Sequence, residues 1–160
     1  MCGLTYLCVN QTFLTMATFL NFTLKELCAS DIAKKQNIDN FPSFTIAKNL
    51  EELTEKLLQP LRTAWNDPIR VNSGYRSKAL NDAVKGVQNS VHQDGFAADL
   101  YPSNGKIDEF GMFVKDWVTK NNIAFDQLLF EQSGSSKWVH FSLYSSTGTQ
   151  RRQIQNITVK

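Results

Sequence analysis

Two histidines, His92 and His140, are the only imidazoles in the 160-residue chain. His92 opens the run Ser90-Val-His-Gln-Asp-Gly-Phe-Ala-Ala-Asp99-Leu100, and His140 lies in Trp138-Val-His-Phe141. Two neutral imidazoles and the Asp99 carboxylate make a three-ligand shell for zinc with a fourth position left to water, the pattern of a catalytic rather than a closed structural site. Gly95, between His92 and Asp99, allows the sharp turn that brings both to one ion. Beyond it the chain alternates. On a strand, Ala97, Asp99 and Tyr101 share one face, while Phe96, Ala98 and Leu100 point into a core.

The remaining segments must carry these ligands. Ile69–Ser73 reads as a strand leading into Gly74-Tyr-Arg76-Ser77, where Ser77 caps a helix through about Val84. Lys85–Asn89 is then a loop that delivers Ser90 and His92. Asp126–Glu131 and Lys137–Tyr144 form a hairpin joined by Gln132–Ser136. Val139, Phe141 and Leu143 face its core side, so Trp138, His140 and Ser142 face the other. Gln127, Leu129 and Glu131 share that second face, and pairing of Glu131 with Trp138 would put it diagonal to His140, about 7–8 Å between backbone positions. Asp126 is the runner-up to Glu131 as a catalytic carboxylate, but parity puts it with the core-facing set, to orient a ligand or cap the strand.

Packing elements complete the layout. Thr23-Leu-Lys-Glu26 is a capping box opening a short helix, and Ser30-Asp31 caps a second one running to Gln36. Both are expected to dock without chemistry. Ile46, Leu50, Leu53, Leu57, Leu61 and Trp65 form one apolar stripe on a helix over about Thr45–Trp65, which Pro60 should kink or interrupt. Ser103 is expected to cap a helix over about Lys106–Asn121, with Phe110, Phe113, Val114, Trp117 and Val118 inward and Gly111 allowing close approach to the sheet. The Ile154–Val159 stretch can add an edge strand.

The Ser-x-His-x-x-Gly-x-Ala-x-Asp pattern, with Ser73-Gly-Tyr-Arg-Ser77 upstream and Trp138-Val-His-Phe-Ser142 downstream, resembles the zinc D-Ala-D-Ala carboxypeptidase family, especially its small phage-type members. The resemblance runs from about Phe22 to Ser142. It implies an α+β fold of the Hedgehog/DD-peptidase kind, a small mostly antiparallel sheet with helices packed on one face and a zinc cleft on the other. It implies Zn2+ held by His92, Asp99 and His140, and cleavage of a peptide bond in peptidoglycan stem peptides. Arg76 matches an arginine that contacts substrate near the scissile bond, a task for a guanidinium's paired hydrogen bonds. Ser90 is a candidate to bind substrate or to fix the metal loop, against a purely local turn bond. Many members place an acid three residues before the second histidine, where this chain has Lys137. The general base must then come from elsewhere. Glu131 is the candidate, from strand parity and from similar phage-type sequences that end the preceding strand in an acid. Lys137 also motivates an alternative, a zinc-fold binding or structural module on a virion or cell envelope.

Composition bounds the rest. A chain of this length is one domain with room for a core, read as an N-terminal extension over 1–21 and a peptidase domain over 22–160. A net charge of +2 without a dense basic cluster points away from nucleic acid, while a mildly basic surface suits an anionic wall polymer. Cys2, Cys8 and Cys28 are odd in number, lie apart from the histidines and lack a C-x-x-C spacing, which argues against a disulfide framework or a thiolate cluster. Met1–Leu20 is apolar but lacks the basic start of a secretory signal. No stable membrane insertion is expected, and the expected state is a monomer made in the cytoplasm, phage-encoded in one version, that acts at the bacterial wall or periplasm.

Overall fold

Period-two alternation around the candidate ligands produces five strands among the described residues, 20–159 of a computed structural model. They are β1 (Ile69–Ser73), β2 (Ala97–Pro102), β3 (Gln127–Ser133), β4 (Ser136–Ser142) and β5 (Gln153–Thr158). One sheet contains all of them in the order β1-β2-β4-β3-β5. Every pairing is antiparallel except that of β3 with β5. With the helices α1 (Leu24–Leu27), α2 (Asp31–Gln36), α3 (Phe44–Leu53), α4 (Gln59–Trp65), α5 (Lys78–Ala83) and α6 (Ile107–Lys120), the class is α+β.

One face of the sheet makes the core. Ala98, Leu100, Leu128, Val139 and Phe141 pack there with Leu50, Leu53, Leu57, Leu58 and Leu61 of the long helix and with Phe110, Val114 and Val118 of α6. Gly111 lets α6 approach closely: a Cβ there would stand 3.1 Å from the Phe130 ring. Phe113 and Trp117, expected inward, are only partly buried.

Pro60 does not break the long helix. A π turn over Thr54–Leu58 joins α3 to α4, and the proline sits at the start of α4. The proline has no N–H to offer the preceding turn, and the wide turn accommodates the irregularity while the chain stays helical. It also turns two consecutive residues, Leu57 and Leu58, fully inward. Thr54 is buried with them and donates its hydroxyl to the Leu50 carbonyl at 2.7 Å.

The expected caps of α1, α2 and α5 are present: the side chains of Thr23, Ser30 and Ser77 each accept from a backbone N–H in the first turn. Ser103 does not cap α6. The N-cap is Lys106, without a side-chain cap; just before the helix the Asn104 side chain accepts from the Lys106 N–H and the Ser103 N–H donates to the Pro68 carbonyl. The hairpin is tighter than its loop composition suggests, because the strands run on to Ser133 and Ser136 around Gly134 at φ 58°. The tail forms edge strand β5, running parallel to β3. Asp126 is neither a site residue nor a strand cap: it is fully buried and holds that tail, accepting two bonds of 2.7 Å from the Arg151 guanidinium. Cys28 is a free, partly buried thiol whose pKa burial pushes up to about 12. Cys2, Cys8 and most of the 1–21 extension lie outside the described residues.

Candidate metal centre

The face of the sheet opposite the core carries the candidate site. Asp99 on β2 and His140 on β4 are direct cross-strand partners, so their side chains rise from one face as neighbours. His92 reaches them from the loop before β2. That loop is a run of turns closed by Gln93 N–H to Ser90 O and Phe96 N–H to Val91 O, and Asn49 of α3 ties it down through the Asp94 carbonyl at 2.8 Å. Gly95 adopts φ +75°, and a Cβ there would stand 3.0 Å from the Ile46 carbonyl oxygen. The turn needs its glycine on both counts.

His92, Asp99 and His140 are all buried and present one ligand atom each to a common point. His92 Nε2 lies 3.2 Å from His140 Nδ1 and 3.2 Å from Asp99 Oδ1, and His140 Nδ1 lies 2.9 Å from Asp99 Oδ1. Ligand bonds of about 2.0–2.1 Å in tetrahedral geometry require ligand atoms about 3.3 Å apart. The triangle matches that requirement within a few tenths of an ångström. A divalent cation of zinc's size fits it.

The partners of these side chains orient them. His92 Nδ1 is 2.7 Å from the Gly74 carbonyl, which can only accept, so the proton is on Nδ1 and Nε2 keeps its lone pair for a metal. Asp99 turns Oδ1 to the imidazoles and accepts from Arg76 Nη2 at 2.6 Å on Oδ2. Arg76 is itself steered by its Nε–H bond of 2.8 Å to Ser73 Oγ. Irregular register between Val71 and Ser73 puts Ser73 opposite Asp99, on the site face. Burial pushes the Asp99 pKa up, but the two imidazoles outweigh it and hold the carboxyl well below the usual carboxylate range. Burial lowers the His92 pKa against the pull of the Asp99 charge. Burial thus favours the unprotonated form of His92, the form that binds metal.

Glu131 pairs with Trp138 in the β3–β4 register, one diagonal step from His140. Its Oε2 accepts from the Trp138 indole N–H at 2.5 Å. Burial raises its pKa, and the nearby Asp99 charge pushes the same way. It lies outside the three-residue ligand cluster, as a group acting on substrate should. Lys137 is one residue along β4 from the site face and pairs with Asp108 of α6 at 2.8 Å, away from the centre. Ser90 is buried in the His92 turn, where its carbonyl accepts from Gln93. Three contacts escaped the sequence reading: the Gly74 carbonyl on His92, the Arg76 bond to Asp99 and the Trp138 bond to Glu131. The intact Ser-Gly-Tyr-Arg-Ser run beside a strand end was the one available signal for the first two.

Residues 20–142, more than half of the chain, match the peptidase M15 family. The chain belongs to that family. It is also 41% identical over 86 residues to a zinc D-Ala-D-Ala carboxypeptidase of Streptomyces albus G. That match spans 52% of this chain and 32% of the relative, so the chain covers about a third of that protein's length.

Proposed function

We propose that this M15 peptidase hydrolyses a peptide bond in peptidoglycan stem peptides with zinc held by His92 Nε2, Asp99 Oδ1 and His140 Nδ1, in a Hedgehog/DD-peptidase-like arrangement. The observation that carries the reading is the ligand triangle, with edges of 2.9–3.2 Å. The substrate class is carried by the likeness to the Streptomyces enzyme, whose name specifies D-Ala-D-Ala. The reaction is a D-Ala-D-Ala carboxypeptidase step or a related endopeptidase cut.

Bound zinc supplies a Lewis acid that polarises the scissile carbonyl and makes water nucleophilic near neutral pH. Glu131 takes the proton from the attacking water and returns it to the leaving nitrogen. Its raised pKa suits that exchange, and the Trp138 indole anchors one oxygen so that the other is free to work. Arg76 holds Asp99 in place and keeps further N–H donors for a substrate carbonyl or carboxylate. Ser90 shapes the turn that presents His92 and lines the substrate side. Lys137, which motivated a non-catalytic envelope module, is engaged with Asp108 and leaves Glu131 as the acid beside the centre. We read the enzyme as a monomer acting at the bacterial wall. Among the described residues no helix is long and apolar enough to cross a membrane.

The test is mass analysis of muropeptides after digestion of purified peptidoglycan with zinc-loaded, chelator-stripped and Glu131→Ala protein. Release of D-Ala or cut stem peptides by the zinc-loaded protein alone is expected. Intact muropeptides after treatment with that protein would overturn the hydrolytic reading.

A further inference from the structure

The loop Ser73–Ser77 supplies no ligand, yet it touches two of the three. Gly74 O accepts a hydrogen bond from His92 Nδ1–H, and the Arg76 side chain donates to Asp99. The Arg76 N–H also donates to the His92 carbonyl at 3.1 Å. Displacing this loop therefore shifts both an imidazole and a carboxylate of the metal shell. Its own position is set from outside the sheet.

We propose that Asn40 is a positioning residue for the metal centre, acting through this loop. Its primary amide uses both kinds of hydrogen-bonding atom. Nδ2 donates to the Cys28 carbonyl at 2.9 Å and to the Tyr75 carbonyl at 3.1 Å, while Oδ1 accepts from the Ser77 N–H at 2.7 Å. One side chain thus grips the backbone on both sides of Arg76 and ties it to the end of α1. The neighbouring bond from Tyr75 N–H to Leu27 O, 2.7 Å, closes the same seam. Only an amide offers two donors and an acceptor at this reach: aspartate keeps the acceptor and loses both donors, and serine is too short to span three backbone groups. The segment α1 to Ser43 is accordingly part of the machinery that shapes the centre, not a passive docking element.

The inference rests on the zinc site proposed above, and its experiment separates the two. Zinc affinity is measured by chelator competition on wild type, Asn40→Ala, Asn40→Asp and Thr54→Val. The last removes a buried hydroxyl bonded within the long helix and serves as a control for lost stability alone. Asn40→Asp retains the bond to Ser77 and so keeps a readable protein if the alanine variant folds poorly. Both Asn40 variants are expected to bind zinc about 10–100-fold more weakly, the range seen when groups behind metal ligands are removed. The visible absorption bands of the cobalt-substituted protein should shift in both and remain unchanged in Thr54→Val. Asn40 variants within twofold of wild type in zinc affinity would overturn the role of Asn40 alone. Wild-type protein that takes up no zinc would overturn the site and this role with it.

Discussion

Gly74→Ala tests whether the metal centre is held by backbone rather than by its ligands alone. A Cβ on Gly74 would lie 2.2 Å from the Leu27 carbonyl oxygen, about 1.2 Å inside ordinary contact, which begins at 3.4 Å. The obstacle is backbone, and Tyr75 N–H is bonded to that same oxygen, so neither side can yield without breaking the seam. A shift of about 1 Å would stretch the 2.7 Å contact from His92 Nδ1 to Gly74 O past hydrogen-bond range. Losing the Tyr75–Leu27 bond costs about 1 kcal/mol, and leaving the buried His92 donor unpaired about 1–3 kcal/mol more. For a domain of this size that total corresponds to a fall in Tm of roughly 5–15 °C. Zinc affinity should drop about 10–100-fold, because the imidazole loses the partner that sets its tautomer and angle. Calorimetry and chelator competition read the two effects separately. A Gly74→Ala protein with unchanged Tm and unchanged zinc affinity would refute the argument that this loop is braced against α1 and in turn braces His92.

Glu131→Gln should retain zinc and lose about 100-fold or more in kcat for stem-peptide cleavage, since the amide cannot accept the proton. Trp138→Phe should give a smaller loss at equal zinc content, and steady-state kinetics on one stem peptide measure both; Glu131→Gln turnover near wild type would transfer the base role to another group. Arg151→Ala removes both guanidinium bonds to the buried Asp126 carboxylate, leaving it the backbone N–H of residue 151, and should cost about 1–3 kcal/mol in denaturant unfolding while leaving zinc affinity unchanged, because the clamp lies outside the ligand cluster.

Much of the strand layer was legible in the residues themselves. β1 spans Ile69–Ser73 as expected, alternation puts Glu131 and Trp138 on one face, and the caps at Thr23, Ser30 and Ser77 are local chemistry that needs no distant partner. Local rules failed where two local signals competed or a distant group intervened. Ser103 was a plausible cap, but α6 starts only at Ile107 with Lys106 as its N-cap, so the Ser103 hydroxyl does not stand at the capping position. Pro60 was expected to kink or interrupt the helix, and the interruption takes the form of a π turn before it, with Leu57 and Leu58 both buried and the chain still helical. Asp126 had the type of a site residue and alternation turned it toward the core, but its partner Arg151, just before the edge strand, is visible only in the fold.

The amino-acid order alone determined which side chains can bind metal, His92, Asp99 and His140, because type and alternation decide what a residue can ligate and which face it takes. It did not determine that their three ligand atoms meet within 3.2 Å, nor that Gly74, Arg76 and Asn40 stand behind them. Those contacts join segments tens of residues apart, and their distances depend on how α1, the long helix and the sheet pack together. Packing is a property of the whole core, so it becomes visible only when the chain is folded.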